Sequence, residues 1–348
     1  MAVRRVLESC VFIGGPEVLA FEAELAEYLG VRACVGVNSG TDALVVALRA
    51  LGVGAGDEVL VPAFGFIASA EAVSLVGGAP VFVDIEPRSF NIDPAALDVA
   101  RSPRTRGIIA VHLFGQAAPM TELSAYAREH GLWVLEDAAQ ALGGRHARAR
   151  VGSLGQAAAL SFFPSKNLGA CGDAGLIATN DLALADAARA LRQHGARQRY
   201  EHERLGQNSR LDALQAAILR AKLPSLDASV AARRAAAARY DVLLAGTPLM
   251  LPFCDPRAEH TFHQYTVRIA EPQRDLVQAR LHEQGIESVV YYRTPLHLQP
   301  VYRASGATQV LPHSEAASRA VLSLPIWPEI SLGEQARVAD ALRAALAP

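Results

Sequence analysis

The chain has 348 residues, 51% of them hydrophobic and 20% charged. That is enough apolar material for a large buried core and enough length for two domains. Lys and Arg number 33 against 35 Asp and Glu, with no basic run and no acidic tail, which argues against a nucleic-acid partner and against disorder. The opening Met-Ala-Val-Arg-Arg leads into a mixed segment rather than a long apolar one. Neither a secretory signal nor a membrane span is expected, and the cytoplasm is the default location. Cys10, Cys34, Cys171 and Cys254 stand at no metal-ligand spacing and read as reduced thiols, with no metal site expected.

Short apolar runs alternate with amphipathic stretches through the first two-thirds. The pattern predicts strands over 58–61, 80–83, 108–113, 132–135, 157–162 and 176–179, with helices between them, among them 41–51, 67–76, 121–130 and 182–193. Apolar strands alternating with helices indicate an α/β fold around a mostly parallel sheet buried on both faces. After Leu211 the texture changes. A helix over 211–222 meets Pro224, and an Ala- and Arg-rich helix follows to about Ala245. Strands over 264–269 and 288–292, a helix between them and a helix at the C-terminus complete a smaller α+β unit. The expected division is a large domain over 1–225 and a small one over 226–348.

Three segments carry the chemistry. Asn38-Ser39-Gly40-Thr41-Asp42 is a small, hydroxyl-bearing turn that opens into a helix, a favourable seat for a phosphate as well as an ordinary N-cap. Leu132 to Gln140 is an apolar strand that delivers Glu136, Asp137 and Gln140 at its carboxyl end, the edge where open α/β sheets bind ligands. There Asp137 could pair with a protonated ring nitrogen, and Gln140 could donate to an oxygen on the same ring. In Ser161-Phe162-Phe163-Pro164-Ser165-Lys166-Asn167-Leu168-Gly169 a lysine follows an apolar strand, and the chain holds only two lysines, Lys166 and Lys222. Arginine cannot lose its proton or form an imine, whereas a desolvated lysine does both, so Lys166 is the candidate nucleophile. Lys222 ends an amphipathic helix and reads as a solvated charge. Phe64 and Phe66, after a strand, are either core residues or a cover for a flat ring.

These segments, with Gly56-Asp57-Glu58-Val59, His112-Leu113-Phe114-Gly115, Gly172-Asp173-Ala174-Gly175, Asn208-Ser209-Arg210-Leu211 and Pro295-Leu296-His297-Leu298-Gln299, resemble the DegT–DnrJ–StrS family of nucleotide-sugar aminotransferases along nearly the whole chain. The resemblance implies the aspartate-aminotransferase fold, pyridoxal 5′-phosphate as cofactor, and a homodimer whose active sites lie between subunits. It makes Lys166 the Schiff-base lysine, Asp137 the partner of the pyridine nitrogen, Gln140 the amide beside the ring oxygen and Phe66 the stacking aromatic. Gly40, Thr41 and Ser161 correspond to the phosphate cradle, and Asn208 to a phosphate contact given to the neighbouring subunit. His297 falls in a segment near the substrate.

The implied reaction moves an amino group from L-glutamate to a keto-sugar nucleotide, with Lys166 shuttling the proton. The Lys166-Asn167-Leu168-Gly169-Ala170-Cys171-Gly172-Asp173 run resembles enzymes that aminate a 3-keto hexose, dTDP- or UDP-linked; those acting on a 4-keto sugar more often carry a Thr-Gly-Glu-Gly type run. Tyr291-Tyr292-Arg293 departs from the family's usual His-Tyr-Pro. Tyr292 and Arg293 are expected near the substrate, Arg293 either meeting a carboxylate or phosphate or standing as a solvated surface charge. The segment before Phe12-Ile13-Gly14 is shorter than is customary. Sugar dehydratases of the family carry histidine in place of the lysine, which argues against that reaction here. A regulator that binds the cofactor without catalysis would not need the lysine, and a nicotinamide dehydrogenase would need a G-x-G-x-x-G turn that is missing.

Overall fold

The computed structural model describes residues 1–198, 200–303 and 309–347. Its centre is a seven-stranded sheet of β1 (Ala33–Val37), β2 (Glu58–Pro62), β3 (Ala79–Val83), β4 (Thr105–Val111), β5 (Trp133–Asp137), β6 (Ala157–Ser161) and β7 (Gly175–Thr179). The strand order is β1-β7-β6-β5-β4-β2-β3. Pairings among β2 to β6 are parallel, and β7 runs antiparallel to both β6 and β1. The six strands of common direction therefore end at one edge. Val35, Val37, Leu60, Val61, Ile108 and Ile109 are fully enclosed, each such side chain contributing about 1.5–3 kcal/mol through burial.

Helices cover both faces. On one face α1 (Ala2–Ser9) and α2 (Gly15–Leu29) pack with α7 (Ala213–Lys222); on the other, α3 (Gly40–Ala50) lies across β6 and β7 and against α4 (Ala68–Leu75) and α6 (Leu182–Leu191). The helix α5 (Met120–His130) follows β4 and packs on β4 and β5. The start of α3 is set by Ser39, whose hydroxyl accepts from the amide of Asp42, a favourable N-cap.

At Pro224 a 3₁₀ turn, Leu223–Ser225, separates α7 from the long α8 (Leu226–Leu243). Leu226 and Val230 of α8 join the core beside α2 and α7. Ala236, Ala237 and Tyr240 of the same helix join the core that continues into the C-terminal layer. That layer holds β8 (Tyr265–Arg268) paired antiparallel with β9 (Val321–Leu324), the helices α9 (Arg274–Glu283), α10 (Pro312–Ala320) and α11 (Leu332–Leu346), and α11 packed on α9.

The strand expected over 288–292 is not formed. Val289 exchanges two backbone hydrogen bonds with Ser323, and no ladder extends from that single bridge. The chain crosses β9 once and turns away toward the sheet edge, so the partner of β8 is β9, which lies about fifty residues further along. Conversely β1, α1 and α2 were not anticipated from the sequence pattern.

Candidate active site

The common strand edge gathers most of the singled-out residues. Asp137 ends β5 and Ser161 ends β6, while the turn after β1 leads into Gly40 and Thr41 at the start of α3. Successive strand residues face opposite sides, which separates the two neighbouring acids. Glu136 points into the interior, where its carboxylate accepts from His112 Nε2 (2.9 Å) and from the amides of Gly152 (2.8 Å), Leu154 (2.7 Å) and Gly155 (2.8 Å). His112 Nδ1 accepts from the amide of Ala118 (2.9 Å), so its proton is on Nε2, directed at Glu136. Asp137 faces the strand edge. Ser69 Oγ donates to it at 2.6 Å and the Ala139 amide at 3.2 Å.

Lys166 lies in the loop between β6 and β7, half-buried. The loop is pinned at its root by Phe162 N–H to Ala174 O and Ala170 N–H to Phe162 O, both 2.8 Å, and at its tip by Lys166 N–H to Phe163 O, 2.8 Å. Gly169 is required there, because a Cβ would stand 2.3 Å from Pro164 O. Lys222 is exposed, as expected of a solvated charge, and it also donates Nζ to Gly169 O at 2.5 Å, which ties the loop to α7. Burial pulls the Lys166 ammonium below the ordinary lysine range, and the charge of Asp137 opposes that pull.

The phosphate-seat residues form a tight corner. A Cβ on Gly40 would stand 2.6 Å from Ser161 Cβ, and one on Gly175 would stand 2.1 Å from Ser39 O. Only glycines let the start of α3 approach the end of β6 this closely. The amides of the first helical turn have no partners within the helix and project toward the edge.

The two phenylalanines divide their tasks. Phe64 is fully buried, whereas Phe66 is 55% exposed with its ring 6.3 Å from that of Tyr292. Gln140 Oε1 accepts from the Phe114 amide (2.7 Å) and its Nε2 donates to the Tyr292 hydroxyl (3.1 Å). These partners fix the amide's orientation and leave one N–H unused. Phe114 (φ 58) and Phe262 (φ 49) sit in the left-handed region, a strain of order 1–3 kcal/mol each that a surrounding structure must impose.

Other singled-out residues lie elsewhere. Asn208 is exposed, beside a cavity of about 290 Å³ lined by Asn38, Asp173, Arg210, Asp212 and Gln215, and among the described residues it makes no hydrogen bond to Gly40, Thr41 or Ser161. His297 is buried against Phe82, with Nε2 3.3 Å from Glu315 Oε1. Arg293 is an exposed side chain held by Asp275 (2.9 Å) and Gln278. Sequence reasoning passed over Ser69 as the partner of Asp137, the His112–Glu136 pair and the buried His263. The His260-Thr261-Phe262-His263 spacing was the available signal for the last.

The model of the DegT/DnrJ/EryC1/StrS aminotransferase family matches residues 1–343. The chain belongs to this family. Among its relatives is a "Pleiotropic regulatory protein" of Geobacillus stearothermophilus, 48% identical over 96% of this chain and 91% of the relative. Another is a "UDP-N-acetyl-3-dehydro-alpha-D-glucosamine 3-aminotranferase" of Acidithiobacillus ferrooxidans, 46% identical over 99% of this chain and 92% of the relative. The crystal structure of S. venezuelae DesV in complex with a ketimine intermediate superposes with a TM-score of 0.96 at 45% identity, covering 99% of this chain and 93% of that one. The fold is thus that of the pyridoxal-phosphate aminotransferases, and this family member is a pyridoxal-phosphate-dependent aminotransferase. No helix among the described residues is long and apolar enough to cross a membrane.

Proposed function

We propose that this aminotransferase moves an amino group from L-glutamate to a keto-sugar nucleotide, a UDP- or dTDP-linked hexose with its carbonyl at C3, and that it acts as a cytoplasmic homodimer with shared active sites. The observation that carries the reading is Lys166, a half-buried amine with a loosened proton, set across from the carboxylate of Asp137 at the strand edge. The surrounding residues fit pyridoxal phosphate. Gly40, Thr41 and Ser161 form a close corner, where the first amides of α3 have no partner within the helix and suit a phosphate. Phe66 offers an open aromatic face, Asp137 a braced carboxylate for the ring nitrogen, and Gln140 one free N–H for the ring oxygen.

When bound, the cofactor supplies an electron-withdrawing ring that carries the amino group between donor and acceptor. Lys166 would hold it covalently at rest. Once freed, Lys166 would take a proton from one carbon and return it to another, a role suited to an amine that burial has made less basic. The C3 position draws on the Lys166 to Gly175 run and on the activity for which the Acidithiobacillus relative is named. The homodimer draws on exposed apolar side chains of the first two helices and the segment joining them, Leu7, Phe12, Ile13 and Leu19 among them, and on the exposed Asn208.

The test is spectroscopic. Glutamate added to holoenzyme should convert the cofactor to its amine form, and UDP- or dTDP-linked 3-amino sugars should do so in reverse, while Lys166→Ala does neither. Turnover of 4-amino sugars alone would move the reaction to C4. If neither glutamate nor any amino sugar yields the amine form, aminotransfer is refuted and a regulatory role takes its place.

A further inference from the structure

Gln140 is held at both ends of its side-chain amide. The Phe114 amide can only donate, so the end it meets, at 2.7 Å, is Oε1. Nε2 is turned the other way and donates to the Tyr292 hydroxyl at 3.1 Å. The first hold belongs to the turn Leu113–Gly115 that follows β4. Its left-handed residues, Phe114 (φ 58) and Gly115 (φ 107), follow Leu113, whose amide donates to Asn91 Oδ1 at 3.0 Å. Asn91 is buried and gives its own NH₂ group to Gln116 O and Ala117 O, both at 3.1 Å.

The second hold comes from the C-terminal layer. Tyr292 lies between Val289, bridged to Ser323 of β9 by bonds of 3.1 and 2.8 Å, and Leu296, whose amide donates to Ala63 O at 2.7 Å. Its ring meets that of Phe64 edge-on, with centroids 6.1 Å apart, and that of Phe66 at 6.3 Å. The chain is therefore pinned on both sides of Tyr292, and the ring is wedged against two phenylalanines. Burial pushes the hydroxyl above the ordinary tyrosine range, so it keeps its proton; the titratable groups that face it are Asp137 and Tyr291. The terminal torsion of a glutamine is soft, so a single hydrogen bond at Oε1 would leave the NH₂ group free to swing. The bond to Tyr292 removes that freedom and leaves one N–H in a fixed direction.

Resting on the placement of Gln140 beside the cofactor's ring oxygen in the reading above, we propose that Tyr292 is a positioning residue: by holding Gln140 Nε2 from the C-terminal layer, it aims the remaining N–H at that oxygen. A donor there favours the negative charge of the oxygen. The proton shared between the ring oxygen and the Lys166 nitrogen is then released at lower pH, and the C-terminal layer bears on the cofactor through one hydroxyl.

Two variants and their combination test it. Tyr292→Phe keeps the ring and removes the hydroxyl, and Gln140→Leu removes the amide. Each holoenzyme is titrated with base, without amino donor or sugar, and the midpoint of the cofactor's absorbance change is read. Tyr292→Phe should move the midpoint up by about half a unit, with the melting temperature unchanged. Gln140→Leu should move it as far or further, and the double variant no further than Gln140→Leu alone. Because neither donor nor sugar is present, a failure of amino transfer to a 3-keto sugar would leave this readout intact. An unmoved midpoint in Tyr292→Phe overturns the proposal, and so does one in Gln140→Leu, which would take the amide away from the ring oxygen. Shifts that add in the double variant overturn it too, because Tyr292 would then act on the cofactor by its own contact. A fall in melting temperature and cofactor binding in Tyr292→Phe, with Gln140→Leu retaining both, makes Tyr292 structural and likewise overturns it.

Discussion

Lys166 burdens the fold in a way its chemistry explains. In the unfolded chain its amine stays protonated up to about pH 10.5, whereas in the folded protein burial releases the proton earlier. Between the two values the unfolded chain holds one proton more, so stability rises with pH across that window, and below it the penalty is complete. Apoprotein carrying Lys166→Met should therefore melt higher than wild type at neutral pH, and the advantage should vanish above about pH 10.5; a series of thermal melts against pH reads this directly. The same variant should be inert in amino transfer. Asp137 depends on Ser69 for its 2.6 Å brace. A hydrogen bond to a charged group contributes about 1.5–3 kcal/mol, so Ser69→Ala should weaken pyridoxal-phosphate binding by about tenfold or more, measured by titrating apoprotein with cofactor. Lys166 was legible because a chain with two lysines places one in an apolar, Gly-flanked turn. Ser69 and His263 were not, because a hydroxyl on a helix and a histidine next to a strand look like ordinary residues until distant segments meet.

The element that sets the site is the strand β5 with the loops that follow its neighbours. Its last two residues face opposite ways: Glu136 is anchored in the interior, while Asp137 faces the strand edge. Glu136→Gln keeps the shape but replaces one acceptor oxygen by an NH₂ group among amide donors. Leaving such buried donors unpaired costs about 1–3 kcal/mol each, so the urea midpoint should fall by an amount equivalent to about 2–4 kcal/mol. The Lys166 loop responds differently. Gly169→Ala drives a methyl group into Pro164 O and should depress turnover while leaving the melting temperature nearly unchanged, since the strained segment is a loop off the core. The parallel strands and most sheet helices were readable from apolar runs, which two-sided burial produces. The strand β1, Ala-Cys-Val-Gly-Val, was not, since small residues and a glycine carry weak strand preference. Glycine is needed at Gly36, where a Cβ would stand 2.8 Å from a Leu211 methyl carbon. At 288–292 the opposite error arose: an apolar run suggested a strand, but only Val289 finds a partner. Period and composition report burial, not which backbone lies alongside.

At the scale of the molecule, the proposed homodimer would complete each site with Asn208 of the second copy. Asn208 is exposed beside its own cavity, and the first two helices with the segment joining them expose Leu7 (53%), Phe12 (43%), Ile13 (51%) and Leu19 (63%), a grouping suited to a second copy of the chain. Ile13 also lines the cavity beside Asn208, so the apolar face and the candidate donor are continuous. If Asn208 serves the neighbour, a site takes Lys166 from one chain and Asn208 from the other. Lys166→Ala and Asn208→Ala should then each be inactive or nearly so, yet unfolding and refolding them together should restore activity. Half of the random dimers would be mixed, each with one intact site of two, giving about a quarter of the wild-type rate. Size-exclusion chromatography should show dimers throughout, and Phe12→Glu should shift them toward an inactive monomer. A mixture that recovers nothing would place Asn208 in its own chain's site, and an active monomer would remove the need for a partner altogether.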